Sequence, residues 1–289
     1  MISIYVVIKI LTKPRYPKGK KMKRTILSAI ILTLAASSVF AQLPDSFQVR
    51  NDKVKIELLK RSFWNMNGIW YDNMELCRKG TAWYGTVIAT KSGWIGSGHL
   101  ENKIGEKDVQ VEFFLDGKPW TPVAGVTECK SFEMRKKSLL SVLLAEYTLK
   151  LENEVITERM SIKNTDSKRF YVSVLYNFMH PWHSRFTDYS ITGRDGASKS
   201  GVFSDTKREE FKEKLPQKAS FSSSSDNIAF TTLLTSPEGL EKLEFWLVWN
   251  RNSDRKLYYG VSGKFFEPER EYVWNMTTSF EKNAASAPK

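Results

Sequence analysis

Residues 170–179 read Phe-Tyr-Val-Ser-Val-Leu-Tyr-Asn-Phe-Met, an unbroken run dominated by β-branched and aromatic side chains. Successive side chains of a strand point to opposite faces of a sheet. One face is therefore predicted to carry Phe170, Val172, Val174, Tyr176 and Phe178, and the other Tyr171, Ser173, Leu175 and Asn177. Because both faces include aromatic rings, we expect a curved sheet with its outer face in the core and a concave face that offers a platform for a ligand.

Runs of the same character fill most of the chain after Gln42, separated by short polar turns such as Asp116-Gly117. The predicted strands are Val54–Leu59, Trp83–Thr90, Val109–Leu115, Leu139–Lys150, Val155–Lys163, Phe170–Met179, Ile228–Leu234, Leu243–Asn250 and Tyr272–Phe280. The one candidate helix is the charged segment Asp205–Lys214. The pattern predicts an all-β domain over residues 42–289, with two antiparallel sheets packed face to face and a closed barrel as the less favoured alternative.

The N-terminus has the features of a secretory signal peptide over residues 22–41. Basic Lys23 and Arg24 precede an apolar run from Ile26 to Ala36, and small residues end the segment at Ala41. The run is shorter than the ~20 apolar residues of a membrane-spanning helix. We interpret residues 1–21 as an over-extended start and expect a periplasmic or secreted protein with no membrane span in the mature chain.

The charge of the whole chain is +12, from 44 basic and 32 acidic residues, but eight basic and no acidic residues lie before Gln42. The remaining 36 basic and 32 acidic residues leave +4 on residues 42–289, which argues against a nucleic-acid binder. In an oxidising compartment Cys77 and Cys129 either form one disulfide or remain two buried thiols.

The three histidines lie in two short segments. His99 belongs to Gly96-Ser97-Gly98-His99-Leu100-Glu101, where an extended chain would place the imidazole and the carboxylate of Glu101 on one face. His180 and His183 flank Pro181-Trp182, and Pro181 is expected to end the preceding strand and place the residues after it on the rim. The alternative is that the histidines are inert, hydrogen-bonded caps of the sheet.

Glu158 and two tryptophans are further candidates. Glu158 shares a predicted strand face with Ile156 and Met160, and apolar surroundings raise a carboxyl pKa as a general acid requires, unless an arginine of the next strand pairs with it. Trp94 and Trp182 adjoin the histidine segments and are expected on the binding face.

The remaining chemistry is narrow. The sequence has no nucleophile elbow, phosphate loop, dinucleotide fingerprint or paired-cysteine motif, so nucleophilic hydrolysis and a cofactor are not predicted. A metal site at the histidines is disfavoured because Pro-Trp separates His180 from His183 and nothing joins them to His99. The two functions that the sequence still allows are general acid–base catalysis and ligand binding without catalysis.

Several segments resemble the aldose 1-epimerase (galactose mutarotase) family. Asn102-Lys103-Ile104 and the segment Val111-Glu112-Phe113-Phe114-Leu115-Asp116-Gly117-Lys118 are similar to its Asn-Arg-Ile stretch and its Phe-x-Leu-Asp-Gly-Lys hairpin. Further similar segments are Ala145–Leu149, Lys163-Asn164, Phe170–His180 and Phe266–Tyr272, so the resemblance covers most of residues 80–280 in order. It implies an antiparallel, galactose mutarotase-like β-supersandwich.

The resemblance also implies roles for individual residues. His180 falls at the general-acid histidine of the family and His99 near its substrate-binding arginine. The second histidine of the family has no counterpart between Val126 and Arg135, and Glu244 is the nearest match to its catalytic glutamate.

We therefore expect an exported protein that binds a sugar on a concave face. The expected substrate-binding residues are His99, Glu101, Trp94, Trp182 and His183, and the expected acid–base residues are His180 with Glu158 or Glu244. The reaction would be epimerisation or β-elimination on a uronic acid. The alternative is a non-catalytic carbohydrate-binding or structural envelope protein.

Overall fold

A computed structural model describes residues 43–77, 85–96, 104–203, 210–250 and 254–282. They belong to one compact unit, Leu43–Lys289. The predicted signal peptide and the segment before it lie outside the described residues, as do His99 and Glu101. Within the described ranges, no helix has the length and apolar character to cross a membrane.

The described chain is built from strands and one 3₁₀ turn, Lys60–Ser62. In chain order the strands are β1 (Ser46–Asn51), β2 (Val54–Leu59), β3 (Asn65–Tyr71), β4 (Met74–Cys77), β5 (Val87–Thr90), β6 (Gly93–Gly96), β7 (Lys107–Leu115), β8 (Lys118–Pro119), β9 (Val126–Glu128), β10 (Ser131–Leu140), β11 (Leu143–Glu152), β12 (Val155–Asn164), β13 (Phe170–His183), β14 (Asp188–Gly193), β15 (Ser198–Val202), β16 (Glu210–Lys214), β17 (Pro216–Ser223), β18 (Ile228–Thr235), β19 (Glu244–Asn250), β20 (Asp254–Phe266) and β21 (Glu271–Lys282). The all-β prediction is confirmed.

Two sheets contain these strands. The eleven-stranded sheet has the order β16-β19-β20-β13-β4-β3-β2-β1-β9, with β5 and β6 attached beside β13. The ten-stranded sheet has the order β15-β14-β17-β18-β21-β12-β11-β10-β7-β8. β21, the last of the strands, therefore lies inside its sheet, between β18 and β12.

The core lies between the two sheets. Trp182 of β13 stacks on Phe230 of β18 with ring centroids 3.7 Å apart, and Trp274 of β21 donates a hydrogen bond to the hydroxyl of Tyr259 of β20 at 2.8 Å. Each pair joins one sheet to the other, so the face-to-face packing predicted from the sequence is confirmed.

Three local predictions are wrong. Residues 210–214 of the candidate helix form β16, which pairs with β19, because a short charged helix without an apolar face gains little from packing whereas the strand extends the sheet. Residues 205–209 of that candidate lie outside the described ranges. The predicted strand Leu139–Lys150 is a hairpin, because Ser141 adopts φ +61° between β10 and β11. Pro181 does not end β13, which continues to His183 opposite Asp254 of β20.

Cys77 and Cys129 are not joined by a disulfide. Cys77 lies on β4 and Cys129 directly follows β9, four strand spacings away through β3, β2 and β1. At about 4.8 Å per spacing the two residues are far beyond the ~7 Å Cα separation that a disulfide can bridge.

Candidate functional site

A second apolar cluster lies on the outward face of the eleven-stranded sheet, on the side opposite the core. This outer cluster consists of the buried Val87, Met179, Phe245, Leu247 and Tyr258 with the half-buried Trp94, Tyr176 and Trp249. The aromatic rings of the cluster pack against one another. Trp94 stacks on Tyr176 at 5.9 Å with an interplanar angle of 11°, and Tyr176 meets Tyr258 at 5.1 Å.

The alternation of β19 shows how the sequence supplies two apolar faces. Phe245, Leu247 and Trp249 belong to the outer cluster, whereas Trp246 and Val248 belong to the core. A strand with large side chains at every position therefore serves both sides of its sheet.

Polar groups border the outer cluster. His183 lies opposite Asp254, and Lys256 lies opposite Trp249 with its ammonium 5.2 Å from the Tyr258 ring centroid. The backbone N–H of Arg185 donates to His183 Nδ1 at 3.0 Å, which fixes the ring and leaves Nε2 to carry the proton of the neutral imidazole. Trp94 and His183 thus lie on the same outward face, although Trp94 is level with Val174 through Ala89, nine residues along β13 from His183.

The structure places His180 and Trp182 on the other side of the sheet. Phe178 has φ +50°, and the register between β13 and β20 shifts between Asn177 and His180. This bulge turns His180 and Trp182 into the sandwich interior, where they are 2% and 1% exposed. The predictions that Trp182 and His180 lie on the concave binding face are wrong.

His180 meets Glu158 in the interior. Its Nε2 lies 2.9 Å from Oε2 of Glu158, and Tyr147 donates its hydroxyl to Oε1 of Glu158 at 2.6 Å. Burial, and then the charge of Glu158, hold the pKa of Tyr147 well above its usual value, so the phenol remains a donor. Glu158 is therefore held by His180 and Tyr147, in place of the arginine considered from the sequence.

A buried lysine that the sequence analysis missed lies beside this group. Lys136 Nζ donates to Oε1 of Glu106 at 3.0 Å, to Oδ1 of Asn65 at 3.1 Å and to the carbonyl of Phe63 at 3.1 Å, and it lies 5.5 Å from the Tyr147 ring. The signal available in the sequence was alternation, because Lys136 lies on the same face of β10 as Met134 and Ser138, which point into the core. Lys136, Glu106, Tyr147, Glu158 and His180 are hereafter the interior polar network.

Glu244 belongs to a different group. It forms an ion pair with Arg194 and accepts a hydrogen bond from the hydroxyl of Tyr259 at 3.1 Å. Glu244 lies opposite Val261, which lies opposite Leu175, so it is two strands across and five residues along β13 from His180. The structure brings Glu158 to His180 and leaves Glu244 apart.

The outward face of the ten-stranded sheet carries a depression of about 590 Å³. Its charged side chains compensate one another: Lys137 pairs with Glu146 at 3.2 Å, and Arg159 with Glu271 at 3.5 Å. It lacks the apolar platform of a sugar site and is a solvated charged surface. Among the described residues, no three His, Cys, Asp or Glu side chains are grouped as metal ligands would be.

No family model and no curated protein sequence matches this chain. Solved structures do match its fold. A galactose mutarotase-like protein from Clostridium acetobutylicum superposes with a TM-score of 0.54 at 7% identity, over 82% of this chain and 95% of that one. A galactose mutarotase-like protein from Lactobacillus casei gives a TM-score of 0.50 at 9% identity, over 82% and 100% of the two chains.

A larger protein contains the same architecture. The GH36 α-galactosidase of Geobacillus stearothermophilus matches with a TM-score of 0.52 at 8% identity, over 83% of this chain and 40% of that one. The present chain thus corresponds to less than half the length of that enzyme. Together with the two packed antiparallel sheets, these matches show that the chain has the galactose mutarotase-like β-sandwich fold.

Proposed function

We propose that the protein binds carbohydrate at the outer cluster of the eleven-stranded sheet. The observation that carries the proposal is the parallel stack of Trp94 on Tyr176, which lies outside the core on the face that also carries Trp249 and His183. Aromatic faces pack on the C–H surfaces of sugar rings, while a few placed polar groups bind the hydroxyls.

The structural neighbours guide the choice of sugars to test. Two are galactose mutarotase-like proteins and one is an α-galactosidase, so galactose-containing glycans are the first probes. The leader predicted over residues 22–41 supports a further proposal, that the protein acts outside the cytoplasm. An exported binding protein of this kind would meet polysaccharides before they are degraded.

The test uses the full chain, expressed with its own leader in a bacterial host and recovered from the periplasm. N-terminal sequencing should begin at Gln42. The protein is then screened by calorimetry against galactose, galactan oligosaccharides and oligogalacturonates. We expect Trp94→Ala to weaken binding about tenfold and Trp94→Phe to retain most of it, because the phenyl ring preserves a stacking surface.

Leu233→Ala is the matched control, because Leu233 is 50% exposed on the ten-stranded sheet, away from the outer cluster. Its affinity should equal that of the unmodified protein. Equal affinities for Trp94→Ala and Leu233→Ala would refute the binding face. The absence of binding to every glycan would favour the structural envelope protein.

Acid–base catalysis is the second candidate, favoured by the 2.9 Å contact between His180 and Glu158. Their side chains are 3% and 4% exposed and lie between the sheets, whereas the outer cluster lies on the other face. Binding at the outer cluster alone therefore predicts no turnover in polarimetry with aldoses or in absorbance assays with uronic polysaccharides. A rate that disappears in His180→Ala while binding persists would establish catalysis instead.

A further inference from the structure

A second aromatic feature lies near the start of β13. Tyr171 and Phe265 face each other across β13 and β20, with ring centroids 4.9 Å apart. They are 39% and 40% exposed, in contrast to the buried centre of the outer cluster. The guanidinium of Arg169 lies 4.5 Å above the Phe265 ring. Two exposed rings and a stacked cation thus form one continuous patch.

The patch lies on the same face as the outer cluster. Val172 and Phe266, the neighbours of the two rings, belong to the core, so Tyr171 and Phe265 point outward. Further along β13, Leu175 belongs to the core and Tyr176 to the outer cluster. The change in alternation occurs opposite Gly263, whose φ of +60° suits glycine.

The spacing suits an extended ligand. Tyr171 and Tyr176 are five residues apart on one strand, or about 16 Å at 3.3 Å per residue. One monosaccharide is too small to contact both rings. A chain of several sugar units lying along β13 would cover both.

The charge of the patch indicates the kind of sugar. Arg169 is exposed and its guanidinium lies over the Phe265 ring, and within the described part of the chain no carboxylate forms an ion pair with it. Stacking on an aromatic ring fixes the orientation of the planar guanidinium, which can then donate two parallel hydrogen bonds to a carboxylate. A sugar that stacks on Tyr171 and carries a carboxylate would contact the aromatic ring and pair with the guanidinium of Arg169.

We propose that Arg169, Tyr171 and Phe265 form a subsite for a uronic acid unit of an acidic polysaccharide whose chain continues to the outer cluster. This inference rests on the proposed function, because it assigns the ligand class of the same face.

The test compares hexagalacturonate with a neutral galactan hexasaccharide by calorimetry on the purified protein. The unmodified protein should bind the acidic chain about tenfold more tightly, with an affinity that falls as salt rises. Arg169→Gln should reduce this preference to about one and remove most of the salt dependence, while leaving the neutral chain unaffected. Tyr171→Ala with Phe265→Ala should weaken both hexasaccharides about tenfold and leave galactose binding unchanged.

Arg159→Gln is the matched control for charge, since Arg159 is 42% exposed on the other sheet and paired with Glu271. It should retain the preference for the acidic chain. The same preference in Arg169→Gln and in the unmodified protein would overturn the subsite.

The outcomes separate the two proposals. Loss of neutral binding in Trp94→Ala with no effect of Arg169→Gln would contradict the subsite alone, whereas failure of every glycan to bind would contradict both. A dimer in analytical ultracentrifugation that the Tyr171→Ala/Phe265→Ala protein cannot form, with glycan binding unchanged, would identify the patch as a self-association surface and overturn the subsite.

Discussion

At Phe178 the backbone conformation decides which side chains at the C-terminal end of β13 enter the core. Strict alternation predicts Tyr176 and Phe178 on one face, yet Tyr176 belongs to the outer cluster and Phe178 to the core. Phe178 has a φ of +50° and forms part of a bulge, and no glycine at this position indicates the bulge in the sequence. Residue types therefore identified His180 as unusual, but the direction of its side chain depended on a tertiary feature.

The interior polar network allows a prediction at this scale. Glu158→Ala removes the acceptor of Tyr147 and His180 inside the core and should lower the free energy of unfolding by about 3–5 kcal/mol. Tyr147→Phe, which removes one hydrogen bond to the carboxylate, should cost about 1.5–3 kcal/mol. Urea unfolding followed by tryptophan fluorescence measures both.

Glu146→Ala is the control for that series. Glu146 is a half-exposed neighbour of Tyr147 whose ion pair with Lys137 lies at the surface, so its loss should cost less than about 1 kcal/mol. A cost for Glu158→Ala no larger than for Glu146→Ala would show that the network does not support the fold.

At the scale of elements, long strands rich in β-branched and aromatic residues could be predicted from the sequence, and short strands could not. Val54–Leu59 matches β2, and Val155–Lys163 differs from β12 by one residue. Strands such as β4 and β9, of four and three residues, lack a local signal because their neighbours in the sheet, and not their composition, make them extended.

The Asp116-Gly117 turn was predicted because its chemistry is local. Asp116 and Gly117 have φ values of +51° and +75° and join β7 to β8. Apart from Gly117 and its two neighbours in the chain, no heavy atom lies within 4 Å of the position that a Cβ on Gly117 would take, so substitution there tests backbone strain.

We expect Gly117→Ala to lower the free energy of unfolding by about 1–2 kcal/mol, because left-handed backbone is unfavourable for alanine. Gly117→Asn should cost less, since asparagine tolerates this region better. Chemical denaturation of both proteins, with Lys118→Ala as the surface control, measures the difference. Equal stability of all three would contradict a strained turn.

At the scale of the molecule, the fold could be predicted because runs of β-branched and aromatic residues recur along the whole chain. The site could be predicted only in part. Trp94 and His183 share the proposed binding face, whereas Trp182 and His180 lie between the sheets. Where a strand has apolar side chains on both faces, its register decides which side chains point into the core. That register is set by pairing with strands distant in the sequence.

The carboxylates predict how the whole molecule responds to acid. Backbone N–H groups of Ser131 and Lys130 lower the pKa of Asp116, and a hydrogen bond from Lys282 lowers that of Asp72. Burial would raise the pKa of Glu133, but Arg135 and Lys150 outweigh it and the net shift is downward. A lowered native pKa stabilises the fold above the unfolded value of about 4 and loses that contribution as the pH falls through the native value.

The contribution of these carboxylates to the free energy of unfolding should therefore be constant above about pH 5 and should be lost as the pH falls from there through their lowered native pKa values. Denaturant titrations at several pH values measure the decline. Asp116→Asn, which lacks one of these carboxylates, should decline less steeply than the unmodified protein. Identical pH dependence in the two proteins would contradict the role of Asp116.

The position of β21 has a consequence for biosynthesis. The strand nearest the C-terminus of the described chain lies between β12 and β18, so both keep an unpaired edge until residues 271–282 have been made. We expect a nascent chain to remain without its complete ten-stranded sheet during translation. If the protein is exported as proposed, this delayed closure would keep the chain unfolded enough to pass through a narrow translocation channel, and chaperones would have to shield its open strand edges until release.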